Sequence, residues 1–154
     1  MVADVKEKLA TLHGYLKKNE ECYKTIFKTV NYEKDNRIHK NKGNNASRHI
    51  LRLHRALVFI YRFLDRLYKS DQKHKSSAIC SEVYEVTLAK HHSWIVRKAA
   101  TVGMLTLPTR EVLVQYMLHS QDDKANFPMF IQSVESVYDT TQSIYEKVEF
   151  LDLP

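Results

Sequence analysis

The chain has 154 residues, 44% of them apolar and 27% charged, with three Gly, three Pro and two Cys. That balance supports one globular domain with a real core, while the few glycines and the lone Cys22 and Cys80 exclude a phosphate-cradling glycine loop, a disulfide framework and a thiolate zinc site. A net charge of +6 favours a polyanionic partner, either nucleic acid or an anionic membrane surface.

So few helix breakers predict an all-helical chain. Val2, Val5, Leu9, Leu12 and Leu16 recur at helical spacing and predict a first helix over residues 2–17. Tyr23, Ile26, Phe27 and Val30 mark a second helix, which fades into residues 31–36. The polar, Asn- and Lys-rich residues 36–46 form the one long loop. Ser47 is the expected N-cap of the longest helix, over residues 47–69. That helix carries an apolar stripe (Ile50, Leu53, Leu57, Ile60, Leu64, Leu67) beside a basic one that includes Arg48, Arg52, Arg55, Arg62 and Arg66. Further helices are expected over 75–91, over 93–105 and, after Pro108, over 109–118. A polar break at 119–126 leads to the last helix, from Pro128 to Val148. No apolar run reaches the length of a membrane span, and no signal peptide follows Met1, so the chain reads as cytosolic.

Eight histidines offer no metal site with ligand spacing, and neither H-E-x-x-H nor G-x-S-x-G is present, so nothing points to an enzyme or a cofactor. The sharper pattern is Arg48 with Arg52. An i, i+4 pair puts two guanidinium forks on one helix face, where they can grip a tetrahedral phosphate, and a positive helix N-terminus would add to that hold. Lys8 is a third candidate cation, with Asp4 one turn before it. Taken alone, a basic stripe is a solvated face and Asp4–Lys8 a surface ion pair. A last run, His92-Ser93-Trp94-Ile95-Val96-Arg97-Lys98, joins an imidazole to the only Trp.

These residues match a family. The runs Arg48-His49-Ile50-Leu51-Arg52-Leu53-His54-Arg55, His92-Ser93-Trp94-Ile95-Val96-Arg97-Lys98 and Leu107-Pro108-Thr109-Arg110-Glu111-Val112, with the Asp4–Lys8 element and the ending Leu151-Asp152-Leu153-Pro154, resemble the glycolipid transfer protein superfamily, nearest to its members that carry ceramide-1-phosphate. The resemblance implies a two-layer all-α sandwich around a collapsible apolar pocket, and a carrier of ceramide-1-phosphate between membranes. It implies that Asp4 accepts from the ceramide amide, that His92 donates to the amide carbonyl, and that Lys8, Arg48 and Arg52 hold the phosphate. Arg at both helix positions, in place of an uncharged residue and a Trp, is what implies a phosphate rather than a sugar. Phe59, Ile60, Phe63 and Trp94 are the candidates for the apolar pocket, and Arg97, Lys98 and Arg110 for docking on an anionic leaflet. The resemblance also implies peripheral contact with Golgi and plasma membranes.

Members of the superfamily carry a long apolar helix before the Asp-bearing one, and here Asp4 is almost the first residue. The expectation is a marginal chain that self-associates and transfers lipid weakly without that cover. The rival reading is a basic helical module that binds nucleic acid or acts as an adaptor, with salt-dependent duplex affinity and no bound lipid.

Overall fold

A computed structural model describes residues 2–41, 43, 45–71 and 74–154, with the backbone alone at Val2. Among the described residues the regular structure is entirely helical, and no helix is long and apolar enough to cross a membrane. Contacts divide the chain into two compact units, residues 1–54 with 137–154, and residues 55–136.

In the first unit, α1 (Val2–Lys18) places Asp4 in its first turn and Lys17 and Lys18 in its last, as the helix dipole favours. Asn19 caps the short α2 (Glu20–Tyr23), accepting from the Cys22 amide at 3.2 Å. Thr25, in extended backbone, caps α3 (Ile26–Asp35) by accepting from the Lys28 amide at 3.2 Å. That cap divides a region whose apolar spacing predicts one helix.

Helix α4 (Ala46–Lys69) starts differently from the expectation. Ser47 is not its cap: Asn45 accepts from the Arg48 amide at 3.0 Å, and the Glu33 carboxylate of α3 accepts from the Ala46 and Ser47 amides at 2.9 and 3.0 Å. Glu33 is fully buried, which a carboxylate tolerates because both oxygens are hydrogen-bonded. The helix end thus already holds an anion, and the expected help from its dipole for an incoming phosphate is taken up. The core of this unit is Val30, Leu51, Tyr145, Val148 and Phe150. The Tyr145 hydroxyl donates to the Ser47 carbonyl at 2.7 Å.

The chain leaves α8 (Gln121–Val148) in this unit through Glu149, whose φ is 61°. The Phe150 amide donates back to the Tyr145 carbonyl at 3.0 Å and the Glu149 amide to that of Glu146 at 3.1 Å, a Schellman turn whose apolar contact is Phe150 with Tyr145.

The second unit takes the rest of α4, then α5 (Ser76–Thr87), α6 (Trp94–Leu105), α7 (Arg110–Met117) and the start of α8. Its core is Phe59, Cys80, Val83, Tyr84, Ala89 and Met104. Helix α8 begins at Gln121, not at Pro128. Ser120 and Asp123 exchange a capping box, with bonds of 3.0 and 2.8 Å. Pro128 lies inside the helix, where it lacks the N–H that would reach the Lys124 carbonyl. The Tyr68 hydroxyl donates to that carbonyl instead, at 3.3 Å.

The buried face of α4 is also rotated from the expected stripe. Ser47, Leu51, His54, Val58 and Tyr61 are buried; of the expected stripe Leu67 is fully buried, while Ile60 is exposed. His54 holds its place by stacking on Tyr138 at 4.2 Å between centroids and bonding the Gln142 side chain at 2.8 Å.

Candidate functional site

In the first unit, α1 presents Asp4 and Lys8 one turn apart, and the two side chains form an ion pair. The Lys8 side chain is only 13% exposed and that of Asp4 62%, so the pair joins a largely buried cation to an exposed carboxylate. Across from them, α4 carries His49 and Arg52. Burial lowers the pKa of His49, and the charges of Arg52 and Lys8 lower it further. Lys8 and Arg52 are therefore both close to the same imidazole, and two cations from two helices share one neighbourhood.

Arg48 behaves differently from Arg52 although the two are one turn apart. Its side chain is buried, and its guanidinium donates to the His39 carbonyl at 3.1 Å and the Gly43 carbonyl at 3.4 Å. It ties down the segment between α3 and α4. Arg52 is exposed and, among the described residues, donates a single long bond of 3.5 Å, to the Pro154 carbonyl. One Arg of the pair stands open to a ligand, and the other fixes the ground beneath it.

His92 belongs to the second unit. The Tyr84 hydroxyl and the His92 Nδ1 lie 2.8 Å apart. Tyr84 is buried in the core and burial raises its pKa, so it stays a neutral phenol; burial likewise lowers the pKa of His92. A buried hydroxyl hydrogen must find an acceptor, and Nδ1 is the one it meets. The ring then carries its own hydrogen on Nε2, as a donor. Sequence reading missed Tyr84, although its place eight residues before His92 on the preceding helix is visible in the sequence.

The apolar candidates separate. Phe59 is buried, stacks on Phe63 at 6.1 Å and meets Tyr84 edge-on at 6.2 Å. Ile60 and Trp94 do not join them. Ile60 lies on the outer side of α4, and Trp94, the first residue of α6, is 71% exposed because that helix turns only Met104 fully inward. Arg110 is corrected too: it donates to the Leu67 carbonyl, the Tyr68 carbonyl and the Ser70 hydroxyl, each at 3.1 Å, and so closes the end of α4 rather than standing free. Arg97 pairs with Glu85 at 3.0 Å, and Lys98 Nζ lies 5.8 Å from the Trp94 ring centroid.

The family pattern Glycolipid transfer protein (GLTP) matches residues 1–119. The ceramide-1-phosphate transfer protein of Mus musculus is 38% identical over 143 residues, which cover 87% of this chain and 66% of that protein. That of Xenopus laevis is 35% identical over 159 residues, covering 98% and 74%. The crystal structure of human ceramide-1-phosphate transfer protein in complex with 12:0 ceramide-1-phosphate matches with a TM-score of 0.91 at 32% identity, over 99% of this chain and 77% of that one. The chain thus spans about two thirds of the length of the mouse relative. Nothing among these relatives supports the rival nucleic-acid or adaptor reading.

Proposed function

The chain belongs to the glycolipid transfer protein family, and on that premise we propose that residues 1–154 act as one lipid-binding domain that takes up ceramide-1-phosphate and carries it between membranes. The observation that carries this reading is the pair of cations, Lys8 from α1 and Arg52 from α4, gathered around His49 with one carboxylate, Asp4, already bound to Lys8. A phosphate monoester brings close to two negative charges at neutral pH. It competes with Asp4 for Lys8 and accepts from the Arg52 fork, while buried Arg48 adds its charge and holds the adjoining loop. Asp4, displaced from Lys8, is then an acceptor for the ceramide amide N–H; in the second unit His92, with its hydrogen on Nε2, is a donor suited to a carbonyl oxygen. No bond is made or broken.

The need for a carrier follows from the lipid. At about 0.8 kcal/mol per methylene, exposing some 30 methylenes to water costs on the order of 20 kcal/mol, so a protein that keeps the chains dry lowers a large barrier. Phe59 and Phe63 contribute the apolar wall. The membrane contact is the outer face of α6, where Trp94, Ile95, Val102 and Leu105 are exposed beside Lys98. An aromatic with an apolar body and a polar edge suits the headgroup layer, and a cation beside it suits an anionic leaflet. The same reading puts the chain in the cytosol, in transient contact with Golgi and plasma membranes, and includes self-association of the short chain through exposed apolar side chains.

Vesicle-to-vesicle transfer of a fluorescent ceramide-1-phosphate, beside a glucosylceramide of the same chain length, tests the proposal, with native mass spectrometry of the purified protein. A lipid phosphate adduct and preferential transfer of the phosphorylated lipid are expected. Equal handling of the two lipids, or duplex binding with no lipid, would overturn it.

A further inference from the structure

His49 is a buried side chain at this site for which neither the resemblance nor the phosphate reading finds a use. It is 5% exposed, and both its ring nitrogens are buried with no hydrogen-bond partner among the described residues. A neutral imidazole always carries one N–H and one lone pair, and leaving such groups unmet in the interior costs on the order of 1–3 kcal/mol. Buried polar groups left unmet call for an explanation, and an absent ligand is a standard one. The surroundings say which ligand. The charged groups around the ring are Arg52 on its own helix, Lys8 and Glu7 from α1, and Glu33 from α3. Glu33 is already committed to the amides of Ala46 and Ser47. What is missing is an acceptor that can sit beside Lys8 and Arg52, which is what a phosphate supplies.

We propose that His49 is a proton-gated member of the phosphate site: capture of the head group beside Lys8 and Arg52 draws a proton from solvent onto the ring, so that the phosphate is met by an imidazolium as well as by fixed cations. This rests on the phosphorylated-lipid reading above. The proton balance is simple, with one proton taken up from water, bound at the free ring nitrogen and returned when the lipid leaves. The direction follows from linkage. In the empty protein burial, Arg52 and Lys8 hold the imidazole neutral. A dianion beside the two cations offsets their push and adds its own attraction, so the ring binds its proton more tightly with lipid than without. By reciprocity the lipid binds more tightly when the ring is protonated. Affinity contributed by His49 therefore grows as pH falls from 8 towards 5.5.

Two titrations complicate the raw pH profile, the second ionisation of the phosphate near pH 6 and that of His92. Both are common to the native protein and His49→Gln, a neutral substitution of similar length, and cancel in the ratio of their dissociation constants. That ratio is expected to rise by about threefold to tenfold between pH 8 and pH 5.5 for a short-chain ceramide-1-phosphate. A second measurement needs no variant: the histidine ring resonances of the native chain, titrated with that lipid and, separately, with hexyl phosphate. The His49 midpoint is expected to move up on adding either. If ceramide-1-phosphate binds and the His49 midpoint stays where it was, the proposal is overturned and the lipid reading stands. If hexyl phosphate moves His49 while ceramide-1-phosphate does not bind, the proton-gated anion site stands and the sphingolipid reading fails. A midpoint that neither compound moves overturns the proposal outright.

Discussion

Arg48 and Arg52 look equivalent on a helical wheel, and the structure predicts that replacing them has opposite signatures. Arg48→Leu removes a buried guanidinium that donates to two loop carbonyls, at 3.1 and 3.4 Å. A hydrogen bond to a charged group is worth about 1.5–3 kcal/mol, and the longer bond adds little, so the loss is about 2–4 kcal/mol. With a urea slope of about 1–3 kcal/mol per molar, the unfolding midpoint falls by roughly 1–2 M. Arg52→Leu removes an exposed side chain with one bond of 3.5 Å. Its cost to stability is about 0.5 kcal/mol or less, and the midpoint moves by a few tenths molar at most. Binding reverses the order of cleanness. Arg52→Leu leaves the phosphate one charge partner short, which costs about 2–5 kcal/mol and weakens ceramide-1-phosphate roughly 30-fold or more, in a protein as stable as the original. Urea melts followed by circular dichroism, run beside vesicle transfer, separate the two. If Arg52→Leu transfers at the native rate, or destabilises the fold as much as Arg48→Leu does, the division of labour argued here is wrong.

Three further outcomes are expected. Glu33→Gln keeps the shape of the buried cap but loses its charge and one of two acceptors, and should lower unfolding free energy by about 1–3 kcal/mol in urea; no change would mean that water replaces the carboxylate at α4. Tyr84→Phe takes the donor from His92 Nδ1, so nitrogen shifts of that ring should report mixed tautomers and ceramide-1-phosphate affinity should fall about threefold to tenfold, whereas an unmoved spectrum would remove Tyr84 as a positioning residue. The lipid-free protein should lose stability on acidification. His49 and His92 both have lowered pKa values in the folded chain, chiefly through burial, so below about pH 6.5 the unfolded chain binds protons that the native one refuses; thermal melts from pH 7.5 to 5 should show a falling midpoint, and a flat profile would contradict the burial argument.

Much of this was legible in the sequence wherever one helix speaks for itself. The helical class, the loop before α4 and the stop at Pro108 follow from local pattern, and so does the nearness of Asp4 to Lys8. What was not legible depends on partners far along the chain. Glu33 reads as a surface carboxylate until α3 and α4 meet, and only then does it displace Ser47 as the expected cap. His54 disguised the buried face of α4, because a polar residue counts against a stripe unless its partners, here Tyr138 and Gln142, are known. Arg48 and Arg52 differ only because the backbone of His39 and Gly43 folds over one of them. The start of α8 is a separate case. The Ser120-x-x-Asp123 capping signal was in the sequence, and the proline at 128 drew the boundary away from it.

The charges near His49 explain why an empty site can be stable and still favour an anion. Around the His49 ring the cations Arg52 and Lys8 face the carboxylates Glu7 and Glu33, and Asp4 pairs with Lys8. Two of these carboxylates are not free to leave their roles in the same way. Glu33 is locked to two backbone amides at the start of α4, and its departure would leave both of those N–H groups unmet in the helix that carries Arg52. Asp4 is exposed and, among the described residues, pairs with Lys8. On the proposed reading an arriving phosphate displaces Asp4 rather than Glu33, and the displacement would supply, in one step, a cation for the phosphate and an acceptor for an amide N–H on the same ligand. A diacylglycerol phosphate would free the same carboxylate with nothing to give it, leaving an acceptor unmet at the site. On the proposed reading, selection for a sphingolipid over a glycerolipid is expected to come from the Asp4–Lys8 pair, and Asp4→Ala should erase that preference while leaving phosphate binding in place; equal weakening of both lipids would show that Asp4 serves only to orient Lys8.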